Sequence, residues 1–405
     1  MKILWIIPKW TLPAIDGARV ATERLIRNTI EAGAVVDVLC LAQKDEVVDL
    51  DLMKATWNTN DIKVLRRELP SGDFKKALYY IKSLLINPFT PITFSSYTRS
   101  TLKQEIQNSI KDTEYDIMLF DCLHLGAPFI ENGKLIKPKS VKKIVYRAHN
   151  LEADIWKKYV TEENNFLKKA FLYYQSKLMF KWESIIANAS DGIAAIANED
   201  LKDLESISPN SKFKFVPLGL DFNSPLDYSN NIQTQLLFVG RLDWAPNKEG
   251  LKWLLTIIWP EVLKTRKDLI LNIVGSGNRD WLSSFKGLKN VVFHGFVTDI
   301  KDMYKLSDFT LAPIKFGSGT RIKVIESYAF GRNIISTKMG AQGSGLEPSD
   351  FILCESVQDW IDKLNSLKLN DKYKTLSKNT NLKLGDIYDE VHVGFEFHFW
   401  LKTLL

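Results

Sequence analysis

The chain has 405 residues, which is too long for one ordinary domain and fits two domains of about 200 residues each. Its composition, 45% hydrophobic and 25% charged, is that of a globular protein, and a net charge of +6 is too small to indicate nucleic-acid binding. Three scattered cysteines, Cys40, Cys122 and Cys354, exclude a disulfide framework and a zinc site with CxxC spacing.

The first half of the chain alternates apolar strands with helical patterns. Residues 2–7 form a short apolar run without a following cleavage site, which predicts a strand buried on both faces of a parallel sheet rather than a signal peptide. A helix is predicted over 18–32 and a second strand over 35–41, so Gly17 lies where a phosphate can meet a helix N-terminus. The sequence contains no apolar run of about 18 residues, so we expect no membrane span. The three scattered cysteines make a reducing cytoplasm the simplest location.

A second alternation begins after the polar stretch 223–233. Two such arrays predict an α/β protein of two Rossmann-like, doubly wound domains facing a cleft, with ligands at the carboxyl ends of the strands. The predicted domains are residues 1–222, against which a C-terminal helix over 386–405 packs, and residues 223–385.

A glycine-rich turn between a strand and a helix organises the second half. The turn is Gly317-Ser318-Gly319-Thr320, and the helix is predicted over 321–330. Backbone N–H groups and the helix dipole favour an anion at such a helix start, and Arg321 and Lys323 add positive charge there. With Glu326 one turn further on, able to bind sugar hydroxyls, the stretch predicts a nucleotide-sugar or sugar-phosphate pocket. The alternative is an ordinary turn with solvated basic residues.

Taken together, these features and the motifs given below resemble those of the retaining family 4 glycosyltransferases (glycosyltransferases group 1) of the GT-B fold. The resemblance covers nearly the whole chain and rests on the joint order of several short motifs. They are HNLE at 149–152, DGIAAIA at 191–197, PLGLD at 217–221, FVGRL at 238–242, VGSG at 274–277, FHGFV at 293–297 and GTRIKVIESYAFG at 319–331.

The resemblance implies roles for individual residues on the donor side. Arg241 and Lys248 match the pair that clamps the donor diphosphate, which suits a site without metal, although an ion pair of Arg241 with Asp243 is the alternative. Other matching positions are Glu326 for the nucleotide ribose, Phe296 and Val297 for the base, and Gly17 for the diphosphate. The family's first glutamate is replaced by Ser318, so we expect the amides of the 317–320 turn to take over its contacts.

The acceptor-side catalytic group has several candidates. Asp121 and His124 follow the strand at 116–120, and either could bind the donor sugar or orient the acceptor hydroxyl, with a structural role as the alternative for His124. His149 ends another strand and is a further candidate. The triplet at 49–51 is a DxD sequence, but it lies in a polar loop, so we expect no metal site there.

Two basic and aromatic stretches, residues 74–85 and 166–182, place lysines among Tyr, Phe, Trp and Leu at helical spacing. They are either amphipathic helices whose lysine stems cover apolar surface or sites of peripheral contact with an anionic membrane.

The sequence therefore predicts a metal-independent, hexosyltransferase-type enzyme without a cofactor. It moves a sugar from a UDP- or GDP-type donor to a glycan or lipid-linked acceptor, with a role in polysaccharide biosynthesis and no nucleic-acid partner. The alternatives are a nucleotide-sugar 2-epimerase of the same fold and a non-catalytic nucleotide-sugar-binding or scaffold protein.

Overall fold

The computed structural model describes residues 1–12, 17–59, 61–67, 73–229, 232–278, 280–285, 287–317 and 321–405. The chain divides into two compact units, Met1–Gly219 with Val393–Leu405, and Leu220–His392. Each unit has its own parallel sheet and its own hydrophobic core.

The first unit alternates strands and helices along the chain. Its strands are β1 (Lys2–Ile7), β2 (Val35–Gln43), β3 (Ile62–Arg67), β4 (Tyr115–Phe120), β5 (Ile130–Glu131), β6 (Lys134–Leu135), β7 (Val141–Ala148), β8 (Gly192–Ala195) and β9 (Lys212–Phe215). Its helices before the last segment are α1 (Gly17–Glu31), α2 (Leu50–Trp57), α3 (Asp73–Ile86), α4 (Ser100–Ile110), α5 (Glu152–Glu162), α6 (Phe166–Asn188) and α7 (Asn198–Ile207).

Within the described part of the first unit, the main sheet is parallel and has the strand order β3-β2-β1-β4-β7-β8-β9, while β5 and β6 form a separate antiparallel pair. The strand order reverses between the neighbours β1 and β4. This is the order of a Rossmann-like sheet.

The continuous apolar run of β1 has a direct structural reason. Ile3, Trp5 and Ile7 pack into the core on one face of the sheet, whereas Leu4 and Ile6 pack into the core on the other. Because helices cover both faces, neither set of side chains can be polar.

The second unit repeats the arrangement. Its strands are β10 (Thr234–Val239), β11 (Leu269–Val274), β12 (Val291–Gly295), β13 (Phe309–Ala312), β14 (Asn333–Ser336) and β15 (Ile352–Leu353). Its helices are α8 (Ala245–Trp253), α9 (Trp259–Val262), α10 (Lys301–Leu306), α11 (Ile322–Ala329), α12 (Val357–Ser366) and α13 (Asp371–Tyr388), and α14 (Glu390–Lys402) begins at its end.

The sheet of the second unit, among the residues described, is parallel with the order β12-β11-β10-β13-β14-β15. The prediction of two Rossmann-like, doubly wound domains is therefore confirmed. The short strands β5, β6 and β15 were not predicted, because each is only two residues long.

The predicted C-terminal helix over 386–405 is in fact two helices that meet at Asp389. The carboxylate of Asp389 accepts hydrogen bonds from the backbone N–H groups of Val391 and His392, and so caps the start of α14. In the rest of α14, Phe397 lies 5.8 Å from the Trp5 ring and belongs to the core of the first unit.

Across the described residues, no helix has the length and apolar character needed to cross a membrane.

Candidate functional site

Several of the residues predicted to bind the donor lie near the carboxyl ends of β10 and β13 in the second unit: Arg241, Lys248, Gly317, Arg321, Lys323 and Glu326. These two strands are neighbours, and the strand order reverses between them. Ligands of open α/β sheets bind at this switch point. The segment after β10 carries Arg241 and Lys248, and the segment after β13 leads through Gly317 into α11.

Close backbone contacts fix the loops at this edge. A Cβ atom on Gly250 of α8 would lie 2.2 Å from the carbonyl oxygen of Pro313, and one on Gly275 would lie 1.9 Å from that of Gly240. Only glycine permits these approaches. Helix α8 therefore packs directly beside the loop that follows β13, and the segment VGSG at 274–277 packs on the loop after β10.

Asn247 connects the two halves of the site. It is 4% exposed, its Nδ2 donates to the carbonyl of Arg241 at 2.9 Å, and its Oδ1 accepts from Lys323 Nζ at 2.6 Å. Lys323 Nζ also lies 4.5 Å from the centroid of the Phe238 ring. Sequence reasoning missed Asn247. The only feature of the sequence that could have indicated it is that it is a polar residue directly before Lys248.

The site gathers three basic side chains. Burial, and after it the charge of Arg321, lowers the pKa of Lys323 to about 7. Burial also lowers the pKa of Arg321, whose guanidinium lies 5.2 Å from the centroid of the Trp244 ring. Lys248 lies in the first turn of α8 and makes no ion pair with a residue that the structure describes. Positive charge is thus concentrated where a helix start already favours an anion.

Arg241 is 71% exposed and forms a two-pronged ion pair with Asp243, at 2.8 and 3.1 Å. This is the alternative considered for it from sequence. Exposed pairs of this kind are screened by solvent and contribute little stability, so a more highly charged partner can displace Asp243.

A buried tyrosine binds the carboxylate of Glu326. The hydroxyl of Tyr304 donates to Glu326 Oε2 at 2.9 Å, and the Tyr304 ring stacks on Phe330 with centroids 4.5 Å apart. Burial, and next the charge of Glu326, raises the pKa of Tyr304 well above its ordinary value, so Tyr304 stays a hydrogen-bond donor. Lys323 and Glu326 are three residues apart on α11 and share one face of that helix.

The remaining predicted donor-side positions are only partly described. Gly317 has a φ of +113°, which suits glycine, and its missing Cβ would lie 3.0 Å from Arg321. Ser318, Gly319 and Thr320 lie outside the described residues. Phe296 is 62% exposed, whereas Val297 packs against a small core with Val239 and Met303.

In the first unit, Asp121 follows β4 at the corresponding switch point and is completely buried. Its Oδ1 accepts from Arg147 at 2.7 Å and His149 Nε2 at 2.6 Å, and its Oδ2 accepts from Thr22 at 2.7 Å. Burial opposes ionisation, but the charges of Arg147 and His149 and the hydrogen bonds outweigh it and hold the pKa of Asp121 below its ordinary value. Sequence reasoning missed Arg147 and Thr22, which lie inside a strand and a helix.

His149 is the accessible member of this group, with 18% of its side chain exposed. Because Asp121 is ionised, Nε2 of His149 carries the hydrogen and donates it, which leaves Nδ1 available for a substrate. His124 is different. It stacks on Phe94 with centroids 4.6 Å apart, and burial, followed by the charge of Arg67, lowers its pKa to about 4. The geometry favours His149 for contact with a substrate and Asp121 as the group that positions it.

Gly17 is the first residue of α1, which starts after β1 in the first unit. Its neighbour Asp16 lies outside the described residues.

A buried glutamate fixes the chain directly after His149. Glu183 of α6 is fully buried and accepts from the backbone N–H groups of Glu152 at 3.1 Å and Ala153 at 3.0 Å, the first residues of α5. Burial is the main reason that the pKa of Glu183 rises to about 7, and the two N–H groups oppose it. The feature of the sequence that could have indicated Glu183 is that it is the single acidic residue in a helix whose other charged residues are lysines.

Asp49 of the DxD triplet caps α2 and accepts from Leu52 N at 2.9 Å, so the triplet starts a helix and does not lie in the loop that was predicted. In the part of the chain that the structure describes, no three His, Cys, Asp or Glu side chains group as a metal site would require.

Replacing Asp121 with Asn tests the buried pair. It leaves Arg147 buried without an anion, so we expect the free energy of unfolding at pH 7 to fall by about 3–5 kcal/mol in urea denaturation. The pKa of Asp121 is lower in the folded than in the unfolded chain, so its contribution is complete above about pH 5 and is lost as the pH falls; the difference between the proteins should shrink accordingly. Asp116→Asn, at the other end of β4, removes an ion pair with the 66% exposed Lys142, which solvent screens, and should cost much less. Equal losses from both substitutions would contradict this account.

Residues 233–370 match the family model described as "Glycosyl transferases group 1". An "uncharacterized 44.6 kDa protein in cps region" of Klebsiella pneumoniae is 25% identical over 326 residues, which cover 74% of this chain and 80% of the relative.

Solved structures are similar over the full length of the chain. Anabaena HepE in complex with UDP matches with a TM-score of 0.65 and 12% identity, over 100% of both chains. A TarM mutant of S. aureus in complex with fondaparinux, alpha-GlcNAc-glycerol and UDP matches with a TM-score of 0.64 and 11% identity, again over 100% of both chains. At these identities the similarity shows the fold alone. The family match in the second unit and the fold of the chain together support a GT-B glycosyltransferase.

Proposed function

We propose that this protein is a retaining glycosyltransferase that moves a sugar from a nucleoside-diphosphate-sugar of the UDP or GDP type to a hydroxyl of a glycan or lipid-linked acceptor. The reaction needs no metal or cofactor in this proposal. Its setting is the assembly of bacterial polysaccharide or lipid-linked glycans, which the cps region named for the Klebsiella relative supports.

The observation that carries the proposal is the half-buried cation Lys323. Its ammonium group is hydrogen-bonded to the neutral amide of Asn247, at the start of α11 and on the same edge as Lys248. A buried ammonium is costly unless an anion comes close to it. A diphosphate would bring negative charge and acceptor oxygens to Lys323, whose hydrogen-bond partner among the described residues is a neutral amide, and HepE and TarM are described with UDP bound.

The proposed chemistry is electrostatic. When the bond between the sugar and the donor phosphate breaks, negative charge grows on the departing diphosphate, and Lys248, Lys323 and Arg241 stabilise it where a metal ion serves in other enzymes. Glu326, oriented by Tyr304, accepts hydrogen bonds from the ribose hydroxyls. His149 uses Nδ1 toward the donor sugar or the acceptor hydroxyl. We infer retention of the anomeric configuration from the family resemblance. NMR of the product, which distinguishes the α from the β anomer, tests it.

A thermal-shift screen against UDP, GDP, ADP and their sugars, with and without EDTA, tests the donor pocket. We expect one nucleotide family to raise the melting temperature, with no effect of EDTA. Arg241→Ala and Lys248→Ala should each weaken the Kd by roughly 10- to 100-fold, since a hydrogen bond between charged groups contributes about 1.5–3 kcal/mol. Lys252→Ala, in the last turn of the same helix, is the matched control and should not change it.

Stabilisation by no nucleotide would contradict the donor pocket and favour the scaffold alternative. A shift that EDTA abolishes would contradict the metal-independent clamp. Donor consumption that gives only an isomerised nucleotide sugar would favour the epimerase.

Nucleotide binding should also take up a proton. At pH 8 a lysine with a pKa of about 7 is mostly neutral, and an adjacent diphosphate raises this pKa, so UDP binding should draw up to about one proton from the buffer. At pH 6 Lys323 is already charged and the uptake should vanish. Calorimetric titrations in buffers of different ionisation enthalpy measure it. Lys323→Met should abolish the uptake and Lys305→Met, on α10, should keep it; uptake that survives in Lys323→Met would assign the proton elsewhere.

Peripheral contact with an anionic membrane is the remaining part of the proposal. Helix α6 exposes large apolar side chains, with Phe166 at 81% and Leu167 at 77% exposure, among lysines 168, 169, 177 and 181. Exposed apolar groups ringed by lysines are the features that bind such a surface.

Co-sedimentation with phosphatidylglycerol vesicles tests this contact. The protein should bind these vesicles, should dissociate from them in high salt, and should not bind phosphatidylcholine vesicles. The double substitution Phe166→Ser and Leu167→Ser should reduce binding about fivefold or more. Phe399→Ser, at a 56% exposed position of α14, is the control. Equal binding by both variants would refute the contact.

A further inference from the structure

A cavity in the first unit takes no part in the site described above. It has a volume of about 320 Å³ and lies between α3 and the segment 87–99 that leads to α4. This volume is at the lower end of the roughly 300–1,000 Å³ typical of small-molecule sites.

The lining of the cavity selects for an anion. Lys82 and Arg99 contribute two positive charges, and no carboxylate is found among the described lining residues. The Arg99 guanidinium lies 5.4 Å from the centroid of the Tyr79 ring, which helps to fix its position on the wall. The hydroxyls of Ser83 and Ser95 also line the cavity, but they donate to the carbonyls of Tyr79 and Ile92 at 2.8 and 2.7 Å. The two cations are therefore the groups that suit phosphate oxygens.

The rim of the cavity is apolar, which a site for a free ion does not need. Ile86 lines the cavity and is 62% exposed, and the neighbouring Leu85 and Phe89 are 81% and 73% exposed. The hydroxyl of Tyr174 of α6 donates to the carbonyl of Pro88 at 2.6 Å, so this rim adjoins the helix with the exposed apolar and lysine side chains. A ligand that fits both features has a phosphate group attached to a hydrocarbon chain.

The cavity lies at the same edge of the sheet as His149. Its wall residue Ser95 follows Phe94, which stacks on His124, three residues after Asp121. Arg67 at the end of β3 donates to the neighbouring Ser96 at 3.2 Å and to the carbonyl of Pro8, just after β1, at 3.0 Å. The segment 92–99 is therefore anchored to the carboxyl ends of the strands.

We propose that this cavity binds the phosphate or diphosphate of a lipid-linked acceptor, with Lys82 and Arg99 on the phosphate oxygens and Leu85, Ile86 and Phe89 on the first part of the hydrocarbon chain. The inference rests on the proposed function and narrows its acceptor to a polyprenyl-type phosphate ester. The sugar attached to that phosphate then extends along the sheet edge that carries His149.

Calorimetric titration of the full chain with farnesyl diphosphate, at saturating UDP so that the donor pocket is filled, tests the proposal. Inorganic diphosphate and farnesol serve as probes of the two halves of the ligand. We expect farnesyl diphosphate to bind at least about tenfold more tightly than either, because charge and chain both contribute. Lys82→Glu should weaken it about tenfold or more, and Ser83→Trp, which fills the cavity, should do the same.

Lys75→Glu is the matched control, since Lys75 is exposed on the same helix and does not line the cavity. It should leave farnesyl diphosphate binding unchanged, and UDP binding should be unchanged in all three variants. Equal effects of Lys82→Glu and Lys75→Glu would overturn the proposal. So would inorganic diphosphate binding as tightly as the farnesyl ester, which indicates a free-ion site, or farnesol binding as tightly, which indicates apolar adsorption. A failure of UDP to bind would count against the donor pocket, while the comparison of Lys82 with Lys75 would still decide this inference.

Discussion

Burying a cation at the carboxyl ends of parallel strands costs free energy, and the two units of this protein meet that cost differently. In the first unit Arg147 is completely buried and its partner is the ionised carboxylate of Asp121. In the second unit Lys323 is held by the neutral amide of Asn247. The charge of Arg147 is therefore balanced within the protein. Lys323 instead has a lowered pKa, and an anion bound beside it would stabilise its charged form. The location of the proposed donor pocket follows from this difference.

The arrangement depends on backbone packing that tolerates almost no side-chain volume. Gly250 lets α8 approach the carbonyl of Pro313, and Gly275 lets its segment approach Gly240. Asn247 of α8 then joins the loop after β10 to α11, with one hydrogen bond to each side. A small change in either loop would therefore move Lys248 and Lys323 relative to one another.

The sequence predicted the architecture well because strands buried on both faces leave an unmistakable pattern. The apolar run of β1 and the helix α11 could be placed from residue types alone. The supporting residues could not be, because their roles depend on partners far along the chain: Arg147 meets Asp121, and Glu183 meets the start of α5. The break at Asp389 was missed because it depends on a local contact: a single capping carboxylate interrupts a pattern that is helical on both sides.

The most direct test of the central claim is a crystal structure of the full chain with UDP. We expect a diphosphate oxygen within about 2.7–3.2 Å of Lys323 Nζ, with Lys248 on the same diphosphate and the ribose on Glu326. Arg241 should have left Asp243 for the phosphate. A nucleotide bound with its diphosphate away from Lys323, or with Lys323 still bonded to Asn247 alone, would contradict the claim that an unbalanced cation defines the donor pocket.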